Sequence, residues 1–474
     1  MKRGWDRCLR ADVSRGGAIL LFVGLLFFMG CTPSAESTQP ATLGATALVE
    51  APALVEATAL VEATALVEAP AAEPAASSAE ADVVAMVAMR GGSVGYDAAG
   101  HLTKIDLSDC RATDADLAAI AAIGQLQVLE LKVLEIWGAE ITDAGMPALA
   151  QLTALEQLVL ENTDVTGAGI KSLASLVNLK TLNLRRSSNL SDAALETVAQ
   201  LKELEQLVLL YNNFTDAGLA HLESLTKLRL LDLRGCALIG DPGLEHVARI
   251  KSLERLKLRC PGISDRGLAS VASLPRLRGL AVEDGQITDA GLAMLADKTE
   301  LDELNIMRAF VGDKGLVHLA KLKKIKRLEL RGTLIGDAGL AHLSGLPNLV
   351  LLDLAETGVG DEGLVHLAGL EKLAELDLWD TRVGNQGMET VGSLAALAKL
   401  NLQNTMVSDA GIAKLEGLAK LNTLNLSGTK VTDAAIQSLE KLTGLRTLDT
   451  SFTLFTEPVL AAFQQAHPKV SVRR

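Results

Sequence analysis

The stretch LVLLDLAETGVGDEGLVHLAGLEK, residues 349–372, sets the architecture because the same arrangement begins again at Leu373. It opens at Leu349 with the pattern Leu-x-x-Leu-x-Leu. From Leu253 to Leu445 this pattern returns every 24 residues without a slip. A fixed interval of this length is typical of stacked structural repeats, in which each repeat is too small to form a core alone.

The pattern occurs fifteen times. We number these copies 1 to 15 and count positions within a copy as offsets from its first residue. Successive copies are 24 or 25 residues apart, except that the first step holds five extra residues. The first residues of the copies are Leu102, Leu131, Leu155, Leu179, Leu204, Leu228, Leu253, Leu277, Leu301, Ile325, Leu349, Leu373, Leu397, Leu421 and Leu445. The aromatic content of 3% fits such an array, because a core of aliphatic side chains suits repetitive packing.

Each copy carries the signals of a short strand followed by a short helix. Leucines at offsets 0, 3 and 5 predict a strand and its preceding turn, with these side chains directed into the core. Leu316, Leu319 and Leu322, at offsets 15, 18 and 21, have the three-residue spacing of a helix that buries one face. The apolar residue at offset 10, such as Val359, adds to the core, and a small polar residue at offset 8, such as Thr333, suits the turn.

Aspartate at offset 12 and glycine at offset 14 recur beside the start of the predicted helix. Carboxylates such as Asp289 and Asp337 supply the acceptor and the negative charge that a helix N-terminus favours. We therefore interpret them as stacked helix caps rather than as a metal or acid–base site. Glycine is costly inside a helix, so its return at Gly315 and Gly339 predicts a close approach of neighbouring helices there.

In its interval and its motif, the repeat resembles that of the leucine-rich repeat family over residues 102–467. The resemblance implies an α/β fold, a curved, horseshoe-shaped solenoid with a parallel β-sheet on its concave face and short helices on its convex face. Strands pack about 4.8 Å apart and helices about 8–10 Å apart, and this difference predicts the curvature. Copies that read Thr-Asp-Ala-Gly-Leu resemble the repeats of bacterial surface proteins. They also resemble the subclass of leucine-rich repeats found in F-box receptors and ribonuclease inhibitor.

The N-terminus resembles a bacterial lipoprotein signal. Basic residues precede an apolar run from Gly16 to Gly30, and Cys31 follows it. The 16 residues from Gly16 to Cys31 are fewer than the roughly 20 that a spanning helix needs, which favours a secretory signal. The resemblance implies that Cys31 is lipidated, although Phe28 and Met29 stand where such signals have Leu and a small residue. Secretion without a lipid and an uncleaved anchor are the alternatives.

We expect five consecutive parts in the chain. Residues 1–31 form the signal peptide that ends at the lipidation cysteine, and residues 32–81 form a low-complexity, disordered linker. The small apolar groups of this linker do not bury enough surface to offset the entropy of ordering it. Residues 82–101 form an N-terminal cap, residues 102–467 the fifteen repeats, and residues 468–474 a C-terminal closing strand.

Charge and motifs argue against several functional classes. The net charge of −13 argues against nucleic acid as a partner. The sequence has no nucleophile elbow, phosphate-binding glycine loop, Cys-x-x-Cys pair or His-Glu-x-x-His, and we expect neither an enzyme nor a bound cofactor or metal. Five histidines recur on the predicted helices, where the helix spacing favours surface positions over a metal site. Cys236 and Cys260 lie on neighbouring copies, and whether they form a disulfide stays open.

The concave face, at offsets 1, 2, 4, 6 and 7, holds the residues that the repeat leaves free to vary. Positive charge gathers there in copies 4 to 7, and negative charge gathers in copies 11 and 12. Aromatic and arginine side chains are enriched in the centres of protein interfaces. The candidate partner-binding residues are Trp137, Arg185, Tyr211, Arg234, Arg259, Met307, Asp353, Asp377 and Trp379.

Together these features predict a non-enzymatic scaffold of the bacterial cell envelope that binds another protein through the concave face. The lipid on Cys31 would hold it at a membrane. An alternative is a cell-wall or glycan-binding surface protein that stacks sugars on Trp137 and Trp379. A substrate receptor of the F-box ubiquitin-ligase type has less support, because the N-terminal residues offer an export signal in place of an F-box.

Overall fold

The computed structural model describes residues 78–123 and 133–474, all of which belong to a unit that spans Ala72–Arg474. The predicted signal peptide, Cys31 and the linker up to residue 77 lie outside the described residues. In the described part, seventeen strands form one open sheet, and each strand pairs with the strand that follows it in the chain. The first pair is antiparallel, and the later pairs are parallel.

The strands and helices are short and alternate along the chain. The strands are β1 (Ser93–Tyr96), β2 (Leu102–Thr113), β3 (Val133–Glu140), β4 (Gln157–Glu161), β5 (Thr181–Asn183), β6 (Gln206–Val208), β7 (Leu230–Asp232), β8 (Arg255–Leu258), β9 (Gly279–Val282), β10 (Glu303–Asn305), β11 (Arg327–Glu329), β12 (Leu351–Asp353), β13 (Glu375–Asp377), β14 (Lys399–Asn401), β15 (Thr423–Asn425), β16 (Thr447–Asp449) and β17 (Ser471–Arg473). The α-helices are α1 (Ser78–Arg90), α2 (Asp114–Ile123), α3 (Met146–Leu149), α4 (Gly167–Ile170), α5 (Asp192–Val198), α6 (Asp216–Leu219), α7 (Asp241–Val247), α8 (Asp265–Ala272), α9 (Asp289–Ala293), α10 (Asp313–Leu316), α11 (Asp337–Leu340), α12 (Asp361–Leu364), α13 (Gly387–Ser393), α14 (Asp409–Ile412), α15 (Ile436–Glu440) and α16 (Glu457–Ala466). Short 3₁₀ turns extend several of them, at Lys171–Ser175, Ala220–Ser224, Val317–Lys321, Val365–Leu367, Ala413–Leu415 and Asp433–Ala435.

The parallel strands are in register, so leucines at the same offset form continuous rows through the core. Leu328 is aligned with Leu352, and Leu352 is aligned with Leu376. These three side chains are at most 2% exposed. One core cluster of such residues extends from Val83 to Val470. The predicted architecture, a parallel sheet with short helices wound from repeated copies, is confirmed.

The recurring aspartate at offset 12 does not cap the helix that it begins. Asp265 Oδ1 accepts a hydrogen bond from the backbone N–H of Thr288 at 2.8 Å, and Asp265 Oδ2 accepts one from the Thr288 hydroxyl at 2.6 Å. Thr288 is the N-cap residue of α9, the helix of the next copy. The same contact to a backbone N–H recurs in most copies. The prediction of stacked helix caps is confirmed, and the structure adds that such a carboxylate caps the helix of the following copy and so joins two copies.

Glycine at offset 14 follows from the same contact. A Cβ atom on Gly339 would lie 2.6 Å from Asp313 Oδ1, the carboxylate of the preceding copy. The predicted close approach is confirmed, but the neighbour is this carboxylate rather than a helix backbone. Copy 3 has Gly167 in place of the aspartate, and the glycine position that would face it in copy 4 is Ala194. Alanine also stands at Ala435, where the preceding copy does have its carboxylate, Asp409, so glycine is the usual but not an obligatory residue at this offset.

Elements outside the repeats cover both ends of the sheet. Helix α1 buries Val83 and Val87 at the first end, where β1 pairs with β2. This helix begins at Ser78, so residues 78–81, which we assigned to the linker, are part of the cap helix. At the other end β17 adds to β16, and α16 buries Phe463. These additions shield apolar edges that terminal repeats would otherwise expose.

Candidate functional site

The exposed sheet face consists of the side chains that alternate with buried leucines in β2–β16, at offsets 2, 4, 6 and 7. In β12, Leu352 is buried, while Leu351 and Asp353 remain partly exposed. Because the strands are in register, residues at one offset form a row across the sheet, with neighbours about 4.8 Å apart. Each charged residue therefore lies beside the residue at the same offset of the next copy. Contacts between copies thus determine the electrostatics of the face.

The row at offset 4 is built largely of Asn and Asp, and it has a structural role. In these residues Oδ1 accepts a hydrogen bond from the backbone N–H two residues later, at 2.9–3.2 Å: Asn183, Asp232, Asn305, Asp353, Asp377, Asn401, Asn425 and Asp449. Such Asx turns fix the chain where it leaves the strand. At offset 7 the backbone is left-handed, with φ of 56° at Tyr211 and 57° at Phe452. The turn thus holds these two aromatic side chains at the rim of the exposed sheet face.

The candidate arginines are each held by a carboxylate of the same or a neighbouring copy. Arg234 Nη2 lies 2.8 Å from Asp232 Oδ2, and Arg259 Nε lies 2.7 Å from Asp284 Oδ2. Arg185 forms an ion pair with the glutamate that ends β4. Other cations of copies 4 to 7 are paired in the same way, namely Lys180 with Glu156, Arg229 with Glu254, and Arg255 with Asp302 and Glu303. The positive charge that the sequence gathers in these copies is therefore largely neutralised within the protein, contrary to our expectation.

Asp353 and Asp377 form a carboxylate pair that no cation neutralises directly. They are register partners on β12 and β13. In residues 78–123 and 133–474, neither carboxylate has a Lys, Arg or His nitrogen within 4.0 Å. Burial and the charge of Asp377 raise the pKa of Asp353 to about 7, and burial raises the pKa of Asp377 as well. A proton or an external cation would relieve this repulsion.

Trp379 is the centre of a pre-ordered cluster beside this pair. The guanidinium carbon of Arg331 lies 4.3 Å from the centroid of the Trp379 ring. Arg331 is itself held by two hydrogen bonds to Glu356, at 3.0 and 3.2 Å. The Trp379 backbone N–H donates to Asp377 Oδ1 at 2.9 Å. Because these contacts fix the ring, little conformational entropy remains to be lost when a partner covers it.

The structure gathers most of the candidate residues into two groups. Asp353, Asp377 and Trp379 lie on adjacent strands of copies 11 and 12. Arg185, Tyr211, Arg234 and Arg259 follow one another over copies 4 to 7, and Tyr211 is 45% exposed there. Trp137 and Met307 are half-buried in copies 2 and 9, apart from both groups. The group in copies 11 and 12 combines an ordered aromatic ring with unneutralised charge.

Sequence reasoning missed a row of exposed apolar side chains at offset 9, beside the exposed sheet face. Phe310, Leu334, Met406 and Leu454 are 53–68% exposed. Their backbone N–H groups donate to the carbonyl at offset 10 of the preceding copy, which fixes the row in place. The signal was a large apolar residue directly before the apolar residue of offset 10, which is Val, Ile or, after Leu454, Phe455. Phe452, at offset 7 of the last copy, is 90% exposed.

The two cysteines of neighbouring copies are free thiols in the core. The Cys236 thiol donates to the carbonyl of Leu209 at 3.1 Å, and the Cys260 thiol donates to that of Leu233 at 3.4 Å. Burial raises the pKa of Cys236 to about 11 and that of Cys260 to about 12. Both thiols are therefore protonated at neutral pH. Each donates to a carbonyl of the preceding copy, whereas the Thr333 hydroxyl of copy 10 donates to the Leu330 carbonyl of its own copy.

Replacing Asp353 with Asn should stabilise the protein at neutral and higher pH. Asn401 and Asn425 show that an amide at this offset accepts the same backbone hydrogen bond, so the variant removes the charge and keeps the turn. The pKa of Asp353 is raised from 3.8 to about 7 by folding, so the folded wild type loses stability as the pH rises from about 4 to about 7. We expect D353N to raise the free energy of unfolding by roughly 1–3 kcal/mol at pH 8 and by little at pH 4, as measured by urea unfolding.

Asp449→Asn is the matched control, because Asp449 has the same offset but its strand neighbours there are Asn425 and Arg473 rather than a carboxylate. This variant should show no gain that grows with pH. An equal gain in the free energy of unfolding in both variants would contradict the explanation that the gain comes from removing the Asp353 charge. A gain for D353N that persists at pH 4 would contradict it as well.

Comparisons with known proteins bear on this architecture. The family model described as "Leucine Rich repeat" matches residues 224–248 and 345–368. An internalin from Listeria monocytogenes is 23% identical with a TM-score of 0.54, and the match covers 70% of this chain and 93% of the internalin. A leucine-rich repeat protein from Leptospira interrogans is 16% identical with a TM-score of 0.45, with coverage of 78% and 96%. The comparison with curated proteins found no significant match.

The repeat geometry and the family model lead to the same assignment. The two matched segments belong to the repeats that form β6 to β7 and β11 to β12, and they share the offsets of the other copies. Among the described residues, every helix is too short or too polar to cross a bilayer. The fold is the leucine-rich repeat solenoid, and the family model matches two segments of it.

Proposed function

We propose that this chain is a non-enzymatic scaffold of the bacterial cell envelope that binds another protein through its exposed sheet face. Leucine-rich repeat folds are generally binding scaffolds, and the family model that matches the chain describes such a repeat. The likeness to the Listeria internalin is one of fold. The identity of the binding surface therefore has to come from the residues of this chain.

The ordered cluster around Trp379 is the observation that carries the proposal. Its ring is stacked by Arg331, which is locked in turn by Glu356. Tryptophan and arginine dominate the energetics of protein interfaces, and side chains that are already ordered lose less entropy on binding. Asp353 and Asp377 beside the ring lack a cation of their own, so a partner that places a basic side chain there gains an ion pair at the centre of the contact.

The size of the face suits a protein partner. Strands β10 to β14 surround the cluster, and five strands extend about 19 Å across the sheet. A standard protein interface covers about 800 Å² on each partner. The rows at offsets 2, 4, 6 and 7 in these five copies, together with exposed Leu334 and Met406 at the edge, supply the contact residues.

The glycan alternative is less well supported by the same cluster. Sugar recognition by stacking requires an open aromatic face, and Arg331 already covers one face of Trp379. The other candidate platform, Trp137, is half-buried and lies in copy 2, far from Trp379 along the array of copies. We therefore propose a protein partner.

Trp379→Ala should sharply reduce recovery of the partner in affinity capture from bacterial envelope fractions. Loss of an interface hot spot costs about 2 kcal/mol or more of binding free energy. At a protein concentration near the dissociation constant of the wild-type complex, we therefore expect recovery to fall by about tenfold or more. The matched control is Val365→Ala on the helix side of the solenoid, where the side chain is 57% exposed. Circular dichroism checks that both variants stay folded.

The proposal fails if folded W379A recovers the same proteins in the same amounts as the wild type. It also fails if V365A loses them, because the helix side would then be the binding surface. Phe452→Ala serves as a second control, since its 90% exposed ring lies in copy 15, outside β10 to β14, and its loss should leave recovery unchanged.

We also propose that the chain is exported and anchored by a lipid on Cys31. The support is the order of basic residues, the apolar run from Gly16 to Gly30 and the cysteine that follows it, all outside the described residues. A run of this length is too short to span the bilayer by itself, so a cleaved signal with an acylated cysteine accounts for it best.

Cys31→Ala should move the protein from the membrane fraction to the soluble fraction of a bacterial host. Cys8→Ala is the matched control, because it removes the other cysteine that precedes the repeats and leaves the apolar run unchanged. Metabolic labelling with a fatty acid should mark the wild type and C8A but not C31A. Membrane retention and labelling of C31A would rule out the anchor.

A further inference from the structure

A cleft of about 360 Å³ opens at the edge of the sheet where the strands begin. It is lined by Arg229, Glu254, Pro275, Arg276, Arg278 and Glu300. These residues come from copies 6 to 8 and their connections, on either side of the first residue of each copy. Three of the six are arginines, so the chemistry of the cleft depends on which of them are already neutralised.

Both glutamates of the cleft already have cations. Glu254 accepts from Arg229, with Nε at 3.0 Å and Nη2 at 2.9 Å from Oε1. Glu300 is paired with Lys324, whose Nζ lies 2.6 Å from Oε2. The hydrogen bond from Lys324 and its charge lower the pKa of Glu300, and the charge of Arg278 lowers it further, so Glu300 keeps its charge and its contact with Lys324.

Arg276 and Arg278 are the positive charges that remain. In the part of the chain that the structure describes, neither guanidinium has a carboxylate within 4.0 Å. Arg278 lies between two acidic residues in its row, but Glu254 is engaged by Arg229 and Asp302 is engaged by Arg255 at 3.0 Å. Two guanidiniums separated by one residue thus line the same cleft, and in the described residues neither is in direct contact with a carboxylate.

The walls of the cleft are fixed by the repeat. The Arg278 backbone N–H donates to the carbonyl of Glu254 at 2.8 Å, and the Arg278 carbonyl accepts from Asp302 at 2.8 Å. The Lys298 ammonium donates to the carbonyl of Leu274, directly before Pro275, at 2.7 Å and adds positive charge beside the wall. The two arginines therefore project from a rigid backbone into a positive environment.

We propose that this cleft binds a phosphate or sulfate group between Arg276 and Arg278. Guanidinium presents paired donors that match tetrahedral oxyanions, and charge-assisted bonds to such groups are among the stronger hydrogen bonds in proteins. The volume accommodates the oxyanion together with a small group that carries it, such as one sugar ring. The site is separate from the cluster around Trp379, so it stands or falls independently of the proposed partner.

Isothermal titration of the purified full chain tests the site, with inorganic phosphate and inorganic sulfate in chloride buffer at constant ionic strength. Saturable binding of one ion per chain is expected. The double variant Arg276→Gln, Arg278→Gln should weaken it at least about tenfold, because it removes both guanidinium contacts. Both positions are exposed, so the thermal midpoint of the variant should stay that of the wild type.

Lys326→Gln is the matched control. Lys326 shares the offset of Arg278, is exposed and, among the described residues, also has no carboxylate within 4.0 Å, but it does not line the cleft. Unchanged affinity in K326Q supports binding in the cleft. Weakening equal to that of the double variant would show that the positive charge of the surface in general, not this site, attracts the ion. Absence of saturable binding to the wild type would overturn the proposal.

Two further titrations distinguish the source of the group. Glucose 6-phosphate and a singly sulfated disaccharide carry the same oxyanion on a sugar. Tighter binding of either than of the inorganic ions assigns the site to a group carried on a larger molecule, and equal binding assigns it to the free ion. In both cases the double variant must lose the binding. A double variant that still binds the group as the wild type does would overturn the proposal.

Discussion

The array is held together by a hydrogen bond that an aspartate of one copy accepts from the first helical turn of the next. An anionic acceptor at a helix N-terminus satisfies an otherwise unpaired N–H and complements the helix dipole. Here the acceptor comes from the neighbouring copy, as Asp265 does for Thr288. Helices of four to eight residues are too short to be stable alone, so each helix depends on the copy before it.

The stacking of the copies also determines which surface charges are neutralised. Because copies stack in register, residues at one offset lie beside each other. A charge is therefore neutralised by a residue of the same copy or of a neighbouring copy. Arg234 and Arg259 are bound in this way and are therefore part of the scaffold as much as of a binding surface. The features available to partners are those that the rows leave unmatched: Asp353 and Asp377 beside Trp379, and Arg276 with Arg278 at the strand-start edge.

The interval of leucines was sufficient to predict the strands, helices and core, since offsets 3 and 5 must face inward in each copy. The aspartate was identified as a helix cap from its position. That it caps the helix of the following copy was not predicted, because a sequence does not show which neighbour a side chain reaches. The glycine at offset 14 is the usual companion of this contact, since a Cβ atom on Gly339 would meet the carboxylate of the preceding copy.

The candidate site was harder to predict than the fold. Trp379 and the acidic pair were found because large or charged residues interrupt a regular pattern. The pairing of Arg185, Arg234 and Arg259 was missed because their carboxylates belong to other offsets or other copies. The exposed row of Phe310 and Leu334 was missed because apolar residues next to a core position were assumed to be buried.

Hydrogen exchange in an Asp265→Ala variant distinguishes a carboxylate that joins two copies from one that caps its own helix. If it joins copies, the backbone N–H of Thr288 in the next copy loses its acceptor and exchanges faster. The N–H groups of Ser264 and Gly267, at the start of the aspartate's own helix, keep their bonds to Asp241 and their slow exchange. Faster exchange at Ser264 and Gly267 with Thr288 unchanged would contradict the account of how this array is held together.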